Sequence, residues 1–188
     1  AFAVDPYGAL VPVPGTPFAG PDGVLSLVAH PTADLLYASG QGGEVMVLAI
    51  NPLTGALGRV GAIAIGNAPQ YSAITYDGTF FYQTISATAQ IAGFEVLPVG
   101  ALIPVPNSPV STAVFPRTIA IDPAGKFLYA TISSSYAGPS NSVFAYSINA
   151  LDGSLTAIPG SPFSAGENPV SAAVDASGRF LFVANNAN

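Results

Sequence analysis

The chain is predicted to be all-β, a β-propeller of four-stranded antiparallel blades carrying about four blades' worth of sequence, with a half-blade at each terminus. Three observations predict it. A unit of about 47 residues recurs along the chain, marked by aligned aromatics at Tyr37, Tyr82, Tyr129 and Phe182. Two kinds of hairpin turn alternate from one end to the other. The 20 glycines and 18 prolines interrupt every window that could carry an apolar stripe at helical spacing.

The elements follow in order. Residues 1–23 supply one hairpin, FAVDPYGALVPVPGTPF from Phe2, read as the outer half of a blade. Residues 24–69, 70–116 and 117–169 each supply a full blade. Their inner hairpins are VLSLVAHPTADLLYAS from Val24, PQYSAITYDGTFFYQT from Pro69 and PRTIAIDPAGKFLYAT from Pro116. Their outer hairpins begin at Glu44, Ile91 and Ser142 and turn through a Gly followed by Ala-Leu or Ser-Leu. Residues 170–188 supply one inner hairpin, PVSAAVDASGRFLFVAN from Pro169. The inner turn has a mechanism. Asp122-Pro123-Ala124-Gly125 places Asp, Pro and Gly where a type I turn wants them. Asp175-Ala176-Ser177-Gly178 repeats it, and His30-Pro31-Thr32-Ala33 and Thr75-Tyr76-Asp77-Gly78 are degenerate copies. A sandwich would not explain the alternation of turns. The stretch Ser133–Asn141 lengthens the third unit and is expected to be an inserted loop able to contact a protein partner.

Half of the chain is apolar, ample for a core, and only 14 residues are charged, with a net charge of −6. Nucleic-acid binding needs a basic surface that displaces counterions from phosphates, and this chain has none. Residues 96–116 carry no charge, but five prolines rule out a spanning helix, so no membrane span is expected. With no cysteine there is no disulfide or thiolate site. No metal-binding or phosphate-loop motif is present, and no cofactor is expected. The low lysine content and the abundance of Ala, Ser, Thr, Gly and Pro resemble exported bacterial proteins, so an extracellular or periplasmic location is expected. No signal peptide is visible, and the start at Ala1 is read as processing, truncation or an incomplete sequence.

The runs Ile119–Tyr129, Phe180–Asn185 and Gly160-Ser161-Pro162-Phe163 resemble the β-propeller lactonase family. That family includes propeller-type 6-phosphogluconolactonases and surface proteins with Tyr-Val-Thr-Asn-type repeats. The resemblance implies a Pro-Arg-His motif opening an inner strand and an Asn-Glu pair after the next aromatic strand. Here Pro116-Arg117 is followed by Thr118, and neither Tyr129 nor Phe182 is followed by a Glu. Lactone hydrolysis requires a base for water and a donor for the developing oxyanion. Arg117 fits the second role; no base is matched.

Three residues are candidates for ligand contact at the channel mouth: Arg117, Gln70 and His30. Arg117 and Gln70 follow matching prolines at the entry to inner strands. His30, the only histidine, stands where Asp122 and Asp175 stand in other units, so a bond to turn backbone is the leading expectation. The column Val28, Ala73, Ala120 and Ala173 is small, as a crowded axis requires, leaving little room for substrate. The reading reached is a non-catalytic, exported module for binding, display or self-assembly, with lactone hydrolysis as the alternative. The two half-blades are complementary, so closure within one chain, between copies, or within a larger ring are all open.

Overall fold

A computed structural model describes residues 1–66, 68–132 and 141–186 of the chain, so residues 133–140 of the expected inserted loop lie outside the described residues. The fold is the propeller that the repeat predicts. Strands β1 (Phe2–Val4) and β2 (Leu10–Pro12) form a separate two-stranded sheet. A four-stranded sheet follows, ordered β3 (Val24–Ala29), β4 (Leu35–Gly40), β5 (Glu44–Ile50) and β6 (Leu57–Ala64). The next is β7 (Pro69–Ile74), β8 (Phe80–Ile85), β9 (Gln90–Val96) and β10 (Leu102–Pro104), with the short β11 (Val110–Ser111) also on β9. The third is β12 (Pro116–Ile121), β13 (Phe127–Ile132), β14 (Ser142–Ile148) and β15 (Leu155–Ala157), with β16 (Phe163–Ser164) also on β14. Strands β17 (Pro169–Val174) and β18 (Leu181–Asn185) make a last two-stranded sheet.

Every pairing is antiparallel, so successive turns alternate between two ends of the molecule. The β3–β4, β5–β6 and equivalent turns share one end, here the turn end. The inner strands start at the other, here the mouth end. Inner strands β3, β7, β12 and β17 pack side by side in that order, an arc around the axis. Among the described residues the helical content is one 3-10 turn, Ser86–Thr88, and no helix is long and apolar enough to cross a membrane.

The core lies between blades, and strand periodicity decides which side chain faces which neighbour. On β8, Phe81 and Ile85 join Leu35, Tyr37, Val45 and Val47 of the preceding blade. Phe80 and Tyr82, one residue out of phase, join Ile121, Leu128, Tyr146 and Ile148 of the following blade. Tyr37 and Phe81 meet at a ring separation of 5.2 Å and a tilt of 40°. Burying each such ring is worth about 1.5–3 kcal/mol.

A hydrogen bond latches the first full blade to the second, and another the second to the third. Tyr37 is fully buried and its hydroxyl donates to the Gly100 carbonyl at 3.2 Å. Tyr82 does the same to Gly153 at 2.8 Å. Both acceptors sit in outer-hairpin turns, where φ of +81° and +71° demands glycine. Burial pushes the Tyr37 hydroxyl pKa up to about 12.

The repeat extends to fine detail. Ser108 Oγ accepts from Gly93 N–H at 2.9 Å, and Ser161 Oγ accepts from Ala145 N–H at 3.0 Å. In the first half-blade the equivalent Thr16 Oγ1 accepts from the Ala1 amino group at 2.8 Å. Each of these residues precedes a cis proline: Pro17, Pro109 and Pro162.

Candidate functional site

The mouth end is built by the inner strands as they enter the arc. Each carries a register irregularity in its first residues, at Val24/Ser26, Pro69/Ser72, Pro116/Ile119 and Pro169/Ser171. A leading proline cannot donate to the ladder, and a bulge beside it re-aims the following side chain. Gln70 and Arg117 occupy those irregular stretches on neighbouring blades, so the structure brings these two candidates to the same end.

Arg117 is exposed, and among the described residues the one ion pair is elsewhere, between Arg59 and Glu44 at 2.8 Å. Among the described residues no carboxylate lies within 4.0 Å of its guanidinium. Its backbone is held, because Thr84 Oγ1 reaches the Arg117 carbonyl at 3.5 Å. Gln70 is half-buried, and its Nε2 donates to Ser86 Oγ at 3.3 Å. Ser86 Oγ donates in turn to the Ala68 carbonyl at 3.0 Å.

Behind the mouth runs a polar ladder that links blades. Ser26 and Ser72 share a hydroxyl contact of 2.7 Å across two blades. Ser39 Oγ donates to Gln83 Oε1 at 2.6 Å, and Gln83 Nε2 donates to the Tyr71 carbonyl at 3.0 Å. Thr118 and Thr131 hold each other at 2.8 Å and are buried. Thus the hydroxyl beside Arg117 is already satisfied within its own blade. Among the described residues every buried side-chain polar atom has a partner, so the ladder is structural rather than a set of poised donors.

His30 lies at the turn end, away from Arg117 and Gln70. Its Nδ1 accepts from Thr32 N–H at 3.2 Å and Ala33 N–H at 3.0 Å. The ring covers Gly78 of the next blade so closely that a Cβ there would stand 2.2 Å from it. His30 does the work of Asp122, whose carboxylate accepts from Lys126 and Phe127 N–H, each at 2.6 Å. The expected turn role accounts for both the ring's position and its accepting nitrogen.

The column Val28, Ala73, Ala120 and Ala173 behaves differently from expectation. Rather than filling the axis, it lines a cavity of about 420 Å³ together with Thr75 and Tyr76. Small side chains fill an axis only if strands face them from across it, and here the inner strands form an open arc. A second cavity of about 560 Å³ lies between the first two full blades, lined by Asp34, Leu35, Val60, Pro98, Val99 and Leu102 among others. No sequence pattern pointed to it, since its walls come from an outer strand and the next blade's turn. Among the described residues no cluster of three His, Asp or Glu could hold a metal.

A family model described as a lactonase, a seven-bladed β-propeller, matches residues 105–188, the part that holds Arg117. No curated protein matches the chain. Among solved structures, a protein from Bacteroides uniformis assigned as a 6-phosphogluconolactonase is 19% identical, with a TM-score of 0.84. The match covers 98% of this chain and 56% of that one. A second, from Bacteroides fragilis and assigned the same way, is 20% identical with a TM-score of 0.80, over 98% of this chain and 56% of that one. The periplasmic gluconolactonase of Pseudomonas aeruginosa is 22% identical with a TM-score of 0.71, over 86% of this chain and 47% of that one. The chain therefore spans about half the length of the structures it matches. At these identities the structures speak for the fold, a β-propeller, and the family match adds a likeness to the lactonase propellers over residues 105–188.

Proposed function

We propose that these 188 residues act as one propeller unit within a lactone hydrolase of the gluconolactonase kind, with Arg117 receiving the carbonyl or anionic group of a sugar-acid lactone. The family match over residues 105–188 carries this reading, because it includes the strand that presents Arg117 at the mouth. The chemistry fits a cation: attack of water on the lactone carbonyl places negative charge on the carbonyl oxygen, a guanidinium beside it stabilises that charge, and collapse of the adduct expels the ring oxygen. Gln70, one blade away at the same end, holds a substrate hydroxyl in this reading. The base that activates water is supplied, in this reading, by blades that close the arc. A location in the periplasm or outside the cell agrees with the periplasmic gluconolactonase among the matched structures.

Hydrolysis of δ-gluconolactone and its 6-phosphate, followed by acid release, tests the reading. Arg117→Ala is expected to lower kcat/KM by about a hundredfold or more. Turnover that ignores the substitution removes Arg117 from the site, and absence of turnover in a ring completed by the closing blades removes the hydrolase reading.

A further inference from the structure

We infer that strand β6, the outer edge of the first full blade, is a docking site for an extended basic segment of another protein. The segment pairs with β6 as a fifth strand and sets apolar side chains into the cavity beside it. The inference comes from a protection that the repeat gives its other outer strands and withholds from this one.

A strand at a sheet edge turns every second N–H and C=O outward, and that row is a template for an extended chain. Proline removes the donor and so blunts an edge. In the first half-blade and in the second and third full blades, Val13, Val105 and Ile158 N–H donate across the ladder to Ala1, Gly93 and Ala145. The residue after each faces outward, and all three times it is proline: Pro14, Pro106 and Pro159. Pro12 and Pro104 hold the outward position before it as well. Strands β2, β10 and β15 run for only three residues each.

The first full blade breaks this pattern. Ile65 N–H donates to the Gly43 carbonyl, so alternation along the ladder puts Gly61 in a bonded pair with Val47 and turns Ala62 and Ala64 outward. Asn51 N–H donates to the Ala56 carbonyl, which by the same alternation turns Arg59 outward. Arg59 and Ala62 thus stand where the other strands have prolines, and each carries an N–H. Strand β6 runs for eight residues, with one bulge at Val60, and its only sheet partner among the described residues is β5. Among the described residues no backbone bond outside the sheet reaches Arg59, Ala62 or Ala64. The outer hairpins on either side of it, β1–β2 and β9–β10, are both in place, so blades joined elsewhere on the ring leave this edge uncovered.

The surroundings of β6 define the fifth strand. The cavity of about 560 Å³ lies along it, between Val60, Gly61 and Ile63 on one side and Pro98, Val99 and Leu102 of the next blade on the other. Side chains of a paired strand alternate between the two faces, so every second one meets those apolar walls. Asp34 lines the same cavity, and among the described residues no basic group lies within 4.0 Å of its carboxylate. Asp77 lines an adjoining hollow of about 260 Å³ that shares Ala33, Leu35 and Pro98 with the cavity. The chain carries a net charge of −6, so a second copy is repelled where a basic segment is attracted. Lactone turnover enters none of these observations, and the inference stands apart from the role given to Arg117.

Two labelled eight-residue probe peptides test it, each alternating valine with a charged residue, lysine in one and glutamate in the other. In fluorescence anisotropy the lysine peptide is expected to bind saturably, and the glutamate peptide at least about tenfold more weakly. Ala62→Pro removes one outward N–H without touching a bond to β5, and should weaken the lysine peptide about tenfold with circular dichroism unchanged. If that variant does not fold, backbone N-methylation of the lysine peptide asks the same question of the unaltered protein. Methyl groups on one alternate set of residues should abolish binding and on the other set leave it intact. Only one row of a strand pairs with the edge, and a slip of one residue would exchange valine for lysine in the cavity. No binding of either peptide, or binding indifferent to both Ala62→Pro and N-methylation, overturns the docking site. Equal binding of the two peptides overturns the basic partner. A solution mass of about twice 18.9 kDa that Ala62→Pro reduces to one chain puts a second copy on this edge and overturns the foreign segment.

Discussion

Asp122 shows how one side chain sets a blade. It is buried, and its two oxygens accept from Ala124, Lys126 and Phe127 N–H. An ionised acceptor makes each bond stronger than a neutral one would. Asp122→Ala leaves those three N–H donors without their acceptor, and is expected to cost about 1–3 kcal/mol of unfolding free energy in a urea titration. The same change at His30 should cost less, because its ring satisfies two N–H groups at longer distance. This part of the molecule was legible in the sequence. Asp122 and Asp175 share a four-residue turn signature, and His30 and Thr75 fall in the same column. Only Thr75 needed the structure to explain it: its hydroxyl takes the acceptor role toward Phe80 N–H, with Asp77 bonded behind it. The Arg117 mouth was half legible. The proline-arginine pair marked the position, but the bulge that aims the side chain arises in the β12–β13 pairing and the Thr84 contact beneath it comes from the neighbouring blade.

The hairpin is the scale at which blades recognise one another. The Tyr82–Gly153 contact joins residues far apart in sequence, and the turn must be glycine twice over. Its φ is +71°, and a Cβ would stand 2.4 Å from the Phe80 ring. Gly153→Ala is therefore expected to lower the melting temperature far more than Gly58→Ala, whose Cβ meets nothing within 4 Å. Tyr82→Phe should fall between them, at about 1–2 kcal/mol, by stranding the buried carbonyl. Differential scanning calorimetry of the three variants gives the order. The tyrosine column was readable as packing. Its hydrogen bond was not, because donor and acceptor lie in different repeats and each looks ordinary in its own. The Ser26–Ser72 and Ser39–Gln83 contacts escaped sequence reading for the same reason.

At the scale of the whole molecule, ionic chemistry is gathered rather than spread. Among the described residues the turn end holds Asp5, Asp34, Asp77, Asp122, Asp152 and Asp175, six of the seven aspartates. Hydrogen bonds from Ser177 Oγ and the Phe180 N–H lead those holding the Asp175 pKa below the usual carboxylate value, and Ser154 does the same for Asp152. At Asp77 partial burial pushes upward, but bonds from Thr75 and Thr79 outweigh it. A folded pKa below the unfolded one gives stability that is complete above the unfolded value and lost as pH falls through the folded one. The melting temperature is accordingly expected to hold steady above about pH 5 and to fall below about pH 4. Asp175→Asn should make that fall shallower, while a profile unchanged by the substitution would contradict the role given to this turn. The arc, the blade count and the turn alternation were all visible in the repeat. The axial cavity was not, since whether small residues fill or line an axis depends on what faces them from across it.

That gathering of carboxylates gives the two ends of the axis different electrical characters. An anion drifting toward the molecule meets six aspartates on the turn end, and at the mouth end the Arg117 guanidinium together with the fewer carboxylates of Asp22, Glu44 and Glu167. The field itself sorts the approaches, and its reach shrinks to about 8 Å at physiological salt. An anion is thus repelled more strongly from the turn end than from the mouth end, before any side chain has touched it.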